Sequence, residues 1–188
     1  DMSVYGPDTV VNKQSDKLFA KGMLSPFCRE GRYYWRIPDS LLDRDWLLVC
    51  RIEAAAAGNR SRNDGYAGDQ VNTALYRFEK KNDKQLYLRR MVLNERADTS
   101  GVIFPAYRKS NVQGIVMAFD VRAYANEEYE IDVTDWLQSD TDLLYFSATA
   151  RGVLRLGGQQ RDKSEVLSVR AYDRNVEIRT QKTYALQG

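Results

Sequence analysis

Hydrophobic and polar residues alternate along most of this chain, which is the pattern of β-strands with one buried face. Three pairs of alternating segments are separated by short turns rich in glycine, asparagine or aspartate, and each pair predicts a β-hairpin. The turns lie at Glu30-Gly31, Asn82-Asp83 and Asp173-Arg174. The paired segments are residues 24–28 with 33–37, 72–80 with 85–94, and 164–172 with 175–183.

Further strands are predicted between the hairpins, at residues 46–53, 114–123, 128–133 and 143–149. Short helical turns are predicted at residues 38–42, with Asp39 or Ser40 as the cap, at 134–137, and within 104–112 after Pro105. A long polar, glycine-containing loop is predicted at residues 58–70, and a loop or an exposed turn at residues 157–163. The fold class is therefore mainly β, α+β at most: antiparallel sheets of consecutive hairpins with two or three short helices.

Composition places the chain among globular proteins, with 43% hydrophobic and 29% charged residues in 188. The formal net charge of +2 gives no field that would hold a nucleic acid. No stretch of 18 apolar residues predicts a transmembrane segment.

Residues 1–17 have little periodicity and are expected to be a poorly ordered leader. Cys28 and Cys50 could form a disulfide only if their strands are neighbours.

The chain contains no histidine, which removes the usual general base and the commonest zinc ligand. The nucleophile motifs Ser-x-x-Lys and Gly-x-Ser-x-Gly are also missing, as are the glycine-rich phosphate loops. Two cysteines cannot build a four-cysteine metal site. We therefore expect no catalytic residue, cofactor or metal site in this chain. Catalysis by paired carboxylates, as in glycosidases, stays open for Asp43 with Asp45, Asp140 with Asp142, and the acids Glu127, Glu128 and Glu130.

Two groups of residues are candidates for contact with a partner or ligand. In the first, Gly65 and Gly68 let the backbone approach a partner closely, Tyr66 offers a rigid aromatic contact, and Asp69 follows. The same residues also suit a tight loop that needs glycine only for its backbone conformation. The second group is the run Tyr33, Tyr34 and Trp35, in which neighbours point to opposite faces of a strand. At least one of those three rings should face away from the core. It would then either stack on a sugar or a partner protein, or belong to a half-buried strand at a junction between domains.

In order along the chain, several blocks resemble the N-terminal uncharacterised region of large secreted bacterial zinc-dependent metalloproteases. No block is specific alone; the resemblance lies in their order and covers residues 18–184. The blocks are Tyr33 to Leu42 with its Ile-Pro-Asp-Ser-Leu-Leu element, Leu47 to Ile52, Gly65 to Gly68, Tyr76 to Glu79, Ser110-Asn111, Ala118 to Val121, Ile131 to Asp135, Val169 to Tyr172 and Asn175 to Ile178.

The resemblance implies a short N-terminal hairpin segment at residues 18–43 and an antiparallel β-rich domain at 44–188. It implies an exported parent protein, periplasmic, cell-surface or extracellular, whose zinc motif and catalytic domain lie further along the polypeptide. The predicted function is a non-catalytic accessory or structural module that packs on that protease domain or guides a protein or glycan substrate to it. The alternative is a carbohydrate or surface-polymer binding module that uses the exposed aromatic residues.

Overall fold

A computed structural model describes residues 19–56, 64–92 and 113–186. The leader at 1–17, residues 58–63 of the loop at 58–70 and the helical turn at 104–112 lie outside the described residues. The two α-helices are α1, Thr134–Gln138, and α2, Ala148–Val153, and two 3-10 turns span Asp39–Leu41 and Arg161–Lys163. The strands are β1 Phe19–Ala20, β2 Ser25–Arg29, β3 Arg32–Pro38, β4 Asp45–Arg51, β5 Gln70–Asn82, β6 Gln85–Met91, β7 Ile115–Ala125, β8 Glu128–Asp132, β9 Leu156–Gln159, β10 Glu165–Ala171, β11 Val176–Gln181 and β12 Tyr184–Leu186.

Seven strands form one curled antiparallel sheet in the order β2-β3-β8-β7-β6-β5-β4. Two of its hairpins, β2-β3 and β5-β6, are those that the turn residues predict. Glu30 and Gly31 have φ angles of 52° and 75°, the left-handed conformation that this turn requires. Strand β3 also pairs with β8, so the N-terminal hairpin belongs to the same sheet as the later strands.

A second sheet has three strands in the order β1-β10-β11. Its β10-β11 hairpin confirms the third predicted hairpin, while β1 adds to β10 in parallel. Strands β9 and β12 form a separate antiparallel pair. Mainly β architecture with short helices is thus confirmed.

One local prediction is wrong and another holds only in part. The apolar stretch at 143–149 is not a strand: the chain turns, with the Tyr145 amide donating to the Thr141 carbonyl at 3.0 Å, and α2 then begins at Ala148. Ser147 caps that helix by accepting a hydrogen bond from the Ala150 amide at 3.2 Å. In the predicted loop or exposed turn at 157–163, residues 161–163 form an exposed 3-10 turn, whereas residues 157–159 belong to β9. In both places pairing or packing with distant chain overrides the local pattern.

The predicted helical turn after β3 is present, but its predicted cap is wrong. Pro38 occupies the cap position, and no side chain accepts a hydrogen bond there. The carboxylate of Asp39 instead accepts a hydrogen bond from the Tyr124 hydroxyl on β7, at 2.8 Å. That bond raises the pKa of Tyr124 to about 12.

The core lies on the inner face of the curled sheet and is centred on α1. Trp136 of this helix packs edge-on against Trp35, Phe119 and Phe78, with ring centroids 5.4, 5.5 and 6.3 Å apart. Each of these aromatic residues is at most 5% exposed. Because side chains alternate along a strand, the buried positions of β3, of β7 and of β5 from Ala74 to Phe78 point to this side of the sheet.

Cys28 and Cys50 are both free. They lie on β2 and β4, the two opposite ends of the seven-strand order, and are therefore not on neighbouring strands. Within the described ranges, neither helix has the length and apolar character needed to cross a membrane.

Candidate functional site

Two of the three consecutive aromatic residues on β3 face inwards. Trp35 is 3% exposed and packs on Trp136, so its ring cannot stack on an external ligand. Tyr33 is half-buried, and its ring centroid lies 6.0 Å from that of Phe19. Tyr34 points to the other face of the sheet, as the strand alternation requires, and stacks on Phe27 with centroids 5.4 Å apart.

The surroundings of Tyr34 form a closed cluster on the outer face of the sheet. The carboxylate of Glu130, which is 2% exposed, accepts hydrogen bonds from Arg29 at 2.8 Å and from Arg36 at 3.2 Å. The Arg29 guanidinium also lies 4.6 Å from the Tyr34 ring centroid, and that of Arg36 lies 4.5 Å from the Phe27 centroid. Glu130 binds both guanidinium groups, and these in turn lie over the two rings, so this cluster is a structural tie between β2, β3 and β8.

The Gly65–Asp69 segment is a tight turn. The Asp69 carboxylate accepts hydrogen bonds from the Gly65 and Tyr66 amides, both at 2.9 Å. Gly65 and Gly68 have φ angles of 91° and 95°, which a residue with a Cβ adopts only under strain. The turn is anchored to the end of β4, since the Gly68 amide donates to the Ile52 carbonyl at 2.8 Å. These contacts explain both glycines by backbone geometry, and Tyr66 remains 43% exposed beside them.

The two groups of candidate residues are not brought together by the sheet. Tyr34 lies on β3, next to one end of the strand order, whereas the Gly65–Asp69 turn joins β4 and β5 at the other end. A cavity of about 370 Å³ separates this turn from α2, with Asp64, Gly65 and Asp69 on one wall. The structure therefore does not place the aromatic candidates on one shared surface.

A larger cleft, which the sequence did not predict, lies between β4 and β11. Its volume is about 800 Å³, within the range of ~300–1,000 Å³ that is usual for ligand sites. In the described part of the chain, β4 pairs only with β5 and β11 pairs only with β10. Each strand is therefore the end of its sheet, and we call the space between them the seam cleft.

The residues that line the two walls of the seam cleft are consecutive. One wall is formed by residues 48–51 of β4 with the following residues 52–54, and the other by residues 176–181 of β11 with residue 182. Neighbouring side chains of a strand point to opposite faces, so a cleft that contacts every residue in turn must face the strand edge. The seam cleft thus has two strand edges, with their backbone N–H and C=O groups, as its walls.

The floor of the seam cleft is formed by the segment between α1 and α2, residues Leu144, Tyr145 and Phe146. Leu144 and Tyr145 are buried, and the Tyr145 hydroxyl donates to the carbonyl of Leu137. Burial raises the pKa of Tyr145 above its usual value. The floor is therefore apolar and uncharged at neutral pH.

Four charged residues of the seam cleft, Arg51, Glu53, Arg179 and Lys182, bind groups within the chain, and the fifth, Glu177, is exposed on β11. Arg179 of β11 forms a two-point ion pair with Glu53, which lies just beyond β4, so a single ion pair spans the cleft. Arg51 donates to the Gly68 carbonyl at 2.8 Å. Lys182 donates to the carbonyls of residues 137, 138 and 139, at 3.0–3.1 Å, at the end of α1. Its three donors are all used, which gives Lys182 the role of a helix cap.

Lys182 makes stability depend on pH. Burial lowers its pKa from 10.5 to about 8, while Asp140 opposes the shift. Between pH 8 and 10 the unfolded chain holds more protons at this lysine than the folded chain does, so the free energy of unfolding should rise with pH in this window. The rise should be less than ~1.4 kcal/mol per pH unit, because solvent partly screens the ammonium.

Urea unfolding of the wild type and of Lys182→Met, measured by circular dichroism at several pH values, tests this dependence. The wild-type free energy of unfolding should rise between pH 8 and 10 relative to that of the variant. Parallel profiles would contradict the assignment. Above pH 10 the raised pKa of Tyr145 acts in the opposite direction, since an unfolded tyrosine ionises first.

Several of the candidate catalytic acids form ion pairs with arginines. Asp45 pairs with Arg77 at 2.7 Å, Glu130 with the two arginines described above, and Asp140 with Arg151. Among the described residues, no group of three or more cysteine, aspartate or glutamate side chains is placed to hold a metal ion. Asp45, Glu130 and Asp140 are thus held by arginines in the described structure.

The fold and the cleft define a mainly β domain in which two strand edges, each without a partner strand in the described part of the chain, face one cavity. The chain belongs to the family described as a domain of unknown function, DUF5117, which matches residues 68–188. The match includes the β11 wall and the floor of the seam cleft, while β4 lies before it. No curated protein and no solved structure matched the chain.

Proposed function

We propose that this chain is a non-catalytic accessory module that binds polypeptide in the seam cleft and acts beside the protease domain of a larger exported zinc metalloprotease. The observation that carries the binding role is a cleft of about 800 Å³ whose walls are two strand edges. The resemblance to secreted zinc metalloproteases supports the setting: an exported parent, periplasmic, cell-surface or extracellular, with zinc bound by its catalytic domain. In that setting the cleft holds a segment of a protein substrate or of the parent itself.

The glycan-binding alternative has less support. Of its aromatic residues, Trp35 is in the core, Tyr34 lies under Arg29, and Tyr66 is at the other end of the sheet. A sugar-binding platform needs exposed rings in one line, since each ring stacks on a sugar face. We therefore favour polypeptide over glycan as the ligand.

Ala54 offers a direct way to test the cleft, because it is exposed and lines the space. In Ala54→Trp a large ring would occupy the cleft. The matched control is Ala118→Trp, the same change at an exposed position of β7 that does not line it. With reduced, carboxymethylated α-lactalbumin as a fluorescent unfolded probe, Ala54→Trp should raise the Kd at least ~10-fold, or ~1.4 kcal/mol, and Ala118→Trp should leave it unchanged.

Anisotropy titration decides between the outcomes. If the wild type does not bind the unfolded probe, or if both variants bind it as the wild type does, the polypeptide-binding role is wrong. Binding of a soluble polysaccharide that Ala54→Trp leaves intact would favour the glycan alternative. The accessory role has its own test: the native reading frame should continue beyond Gly188 into a His-Glu-x-x-His zinc motif, and a stop codon there would overturn it.

A further inference from the structure

We infer that polypeptide enters the seam cleft as an extended strand that adds to the edge of β11 that has no partner strand among the described residues, so that its main chain is what the site recognises. This inference rests on the proposed function and specifies its mode of binding. Strand addition supplies main-chain hydrogen bonds from the edge, and side chains contribute only at alternate positions.

The direction of the β11 hydrogen-bonding groups follows from the hairpin turn. The Tyr172 amide donates to the Asn175 carbonyl at 2.8 Å, next to the turn at 173–174. In an antiparallel pair, residues whose main chains hydrogen-bond to the partner strand alternate with residues whose main chains do not. The main-chain groups of Glu177 therefore point to its partner Arg170 on β10, and those of Val176 and Ile178 point away from β10. A bulge between Val166 and Ser168 adds one residue to β10 and none to β11. The alternation of main-chain directions along β11 therefore continues, and the main-chain groups of Thr180 also point away from β10.

Side chains at these positions set the character of the bound strand. Val176, Ile178 and Thr180 are half-buried and lie on the inner face, whereas Glu177 and Arg179 are exposed. A strand added to this edge continues the alternation of β11. Its inward side chains would meet the apolar floor at Leu144 and Tyr145, and its outward side chains would meet solvent. The expected ligand is an extended segment of about six residues, the length of β11, with apolar and polar residues alternating.

The edges of the seam cleft lack two features that usually prevent strand addition. Exposed edges are commonly protected by proline or by an inward-pointing charge. Strand β2, at the far end of the seven-strand sheet, contains Pro26. Strands β4 and β11 contain no proline, and the inward positions Trp46, Leu48, Cys50, Val176, Ile178 and Thr180 carry no charge.

The charged residues of the cleft also favour main-chain recognition. Glu53 pairs with Arg179, Arg51 is bound to a backbone carbonyl, and Lys182 is bound to three. Because these four charges have partners within the chain and Glu177 lies on the exposed side of β11, the inward side chains of a ligand are not required to bring a particular charge. Binding should therefore tolerate changes of side-chain sequence that keep the alternation.

An N-methylation scan tests the mode of binding. The probe is a fluorescent peptide of the length of β4, in which valine and threonine alternate between lysine ends. N-methylation removes one amide donor while keeping every side chain, so methylation of every second residue should raise the Kd at least ~10-fold. The intermediate residues should tolerate it within ~2-fold. A loss at every interior residue would also support strand addition, with β4 pairing on the other side.

A pair of protein variants gives an independent readout. Thr180→Pro removes an amide donor on the cleft side of an edge strand, where proline is tolerated, and should weaken peptide binding at least ~10-fold. Thr180→Val keeps the donor and the branched shape and should therefore bind the peptide more tightly than Thr180→Pro does. If Thr180→Pro fails to fold, the N-methylation scan of the peptide still decides whether the ligand binds by strand addition.

The outcomes separate the two proposals. A peptide that binds, is displaced by the unfolded probe and is blocked by Ala54→Trp, yet tolerates methylation at all positions, would overturn strand addition and leave polypeptide binding intact. Failure of both the peptide and the unfolded probe to bind the wild type would overturn both.

Discussion

Trp136→Ala should lower the free energy of unfolding by about 3–5 kcal/mol, the range for removing a large buried aromatic side chain. Trp136 is 5% exposed and forms edge contacts with Trp35, Phe78 and Phe119, so its removal leaves a cavity bordered by rings from three strands. Those rings are held by their own strands and cannot collapse fully into the space. Urea unfolding followed by circular dichroism measures the effect.

Two controls make this result specific. Trp136→Phe keeps a ring, and in the described structure the Trp136 indole N–H has no hydrogen-bond partner, so most of the stability should be retained. Leu47→Ala changes a side chain that is 70% exposed and should alter the free energy of unfolding by less than ~0.5 kcal/mol. A loss in Trp136→Ala no larger than that in Leu47→Ala would mean that α1 does not organise the core.

Gly22→Ala should be the most damaging small substitution, lowering the free energy of unfolding by about 3 kcal/mol. A Cβ at Gly22 would lie 2.5 Å from the backbone C and O atoms of Ala171, so backbone has to move to make room. The Met23 amide donates to the Tyr172 carbonyl at 2.8 Å at the same point. The change should therefore loosen the N-terminal segment from β10, which carries β11 and the wall of the seam cleft.

Gly158→Ala is the matched control, because no heavy atom lies within 4 Å of the added Cβ. Thermal and urea unfolding should distinguish the two alanine variants clearly. Equal stabilities would show that the close approach at Gly22 is relieved without loss. In Gly22→Ala we also expect weaker binding of the unfolded probe, measured at a temperature where the variant is folded.

Much of the fold follows from local sequence. The turns at Glu30-Gly31, Asn82-Asp83 and Asp173-Arg174 each join strands that pair with each other, and such pairing depends on residues close in the chain. The wrong prediction of a strand at residues 143–149 also has a physical reason. Residues 143–149 are apolar enough for a strand, but Leu144 and Tyr145 are buried side by side in a turn, a state that only the surrounding core allows.

The candidate site shows the same division. The turn with Gly65, Gly68 and Asp69 was recognisable from its glycines, and its backbone geometry accounts for both of them. The burial of Trp35 against Trp136 could not be read from a run of three aromatic residues. The seam cleft had no sequence signal, because Glu53 and Arg179, which span it, are 126 residues apart.

By itself, the sequence determined that this chain forms antiparallel hairpins, and it left the usual histidine-based chemistry without a residue to perform it. Both follow from residue type and short-range alternation. Only the tertiary structure decided which strands remain at the ends of the sheets and that two of those ends face each other across a cleft. Strand order and sheet curvature depend on contacts between distant segments, whose cost in chain entropy is repaid by the packed core as a whole.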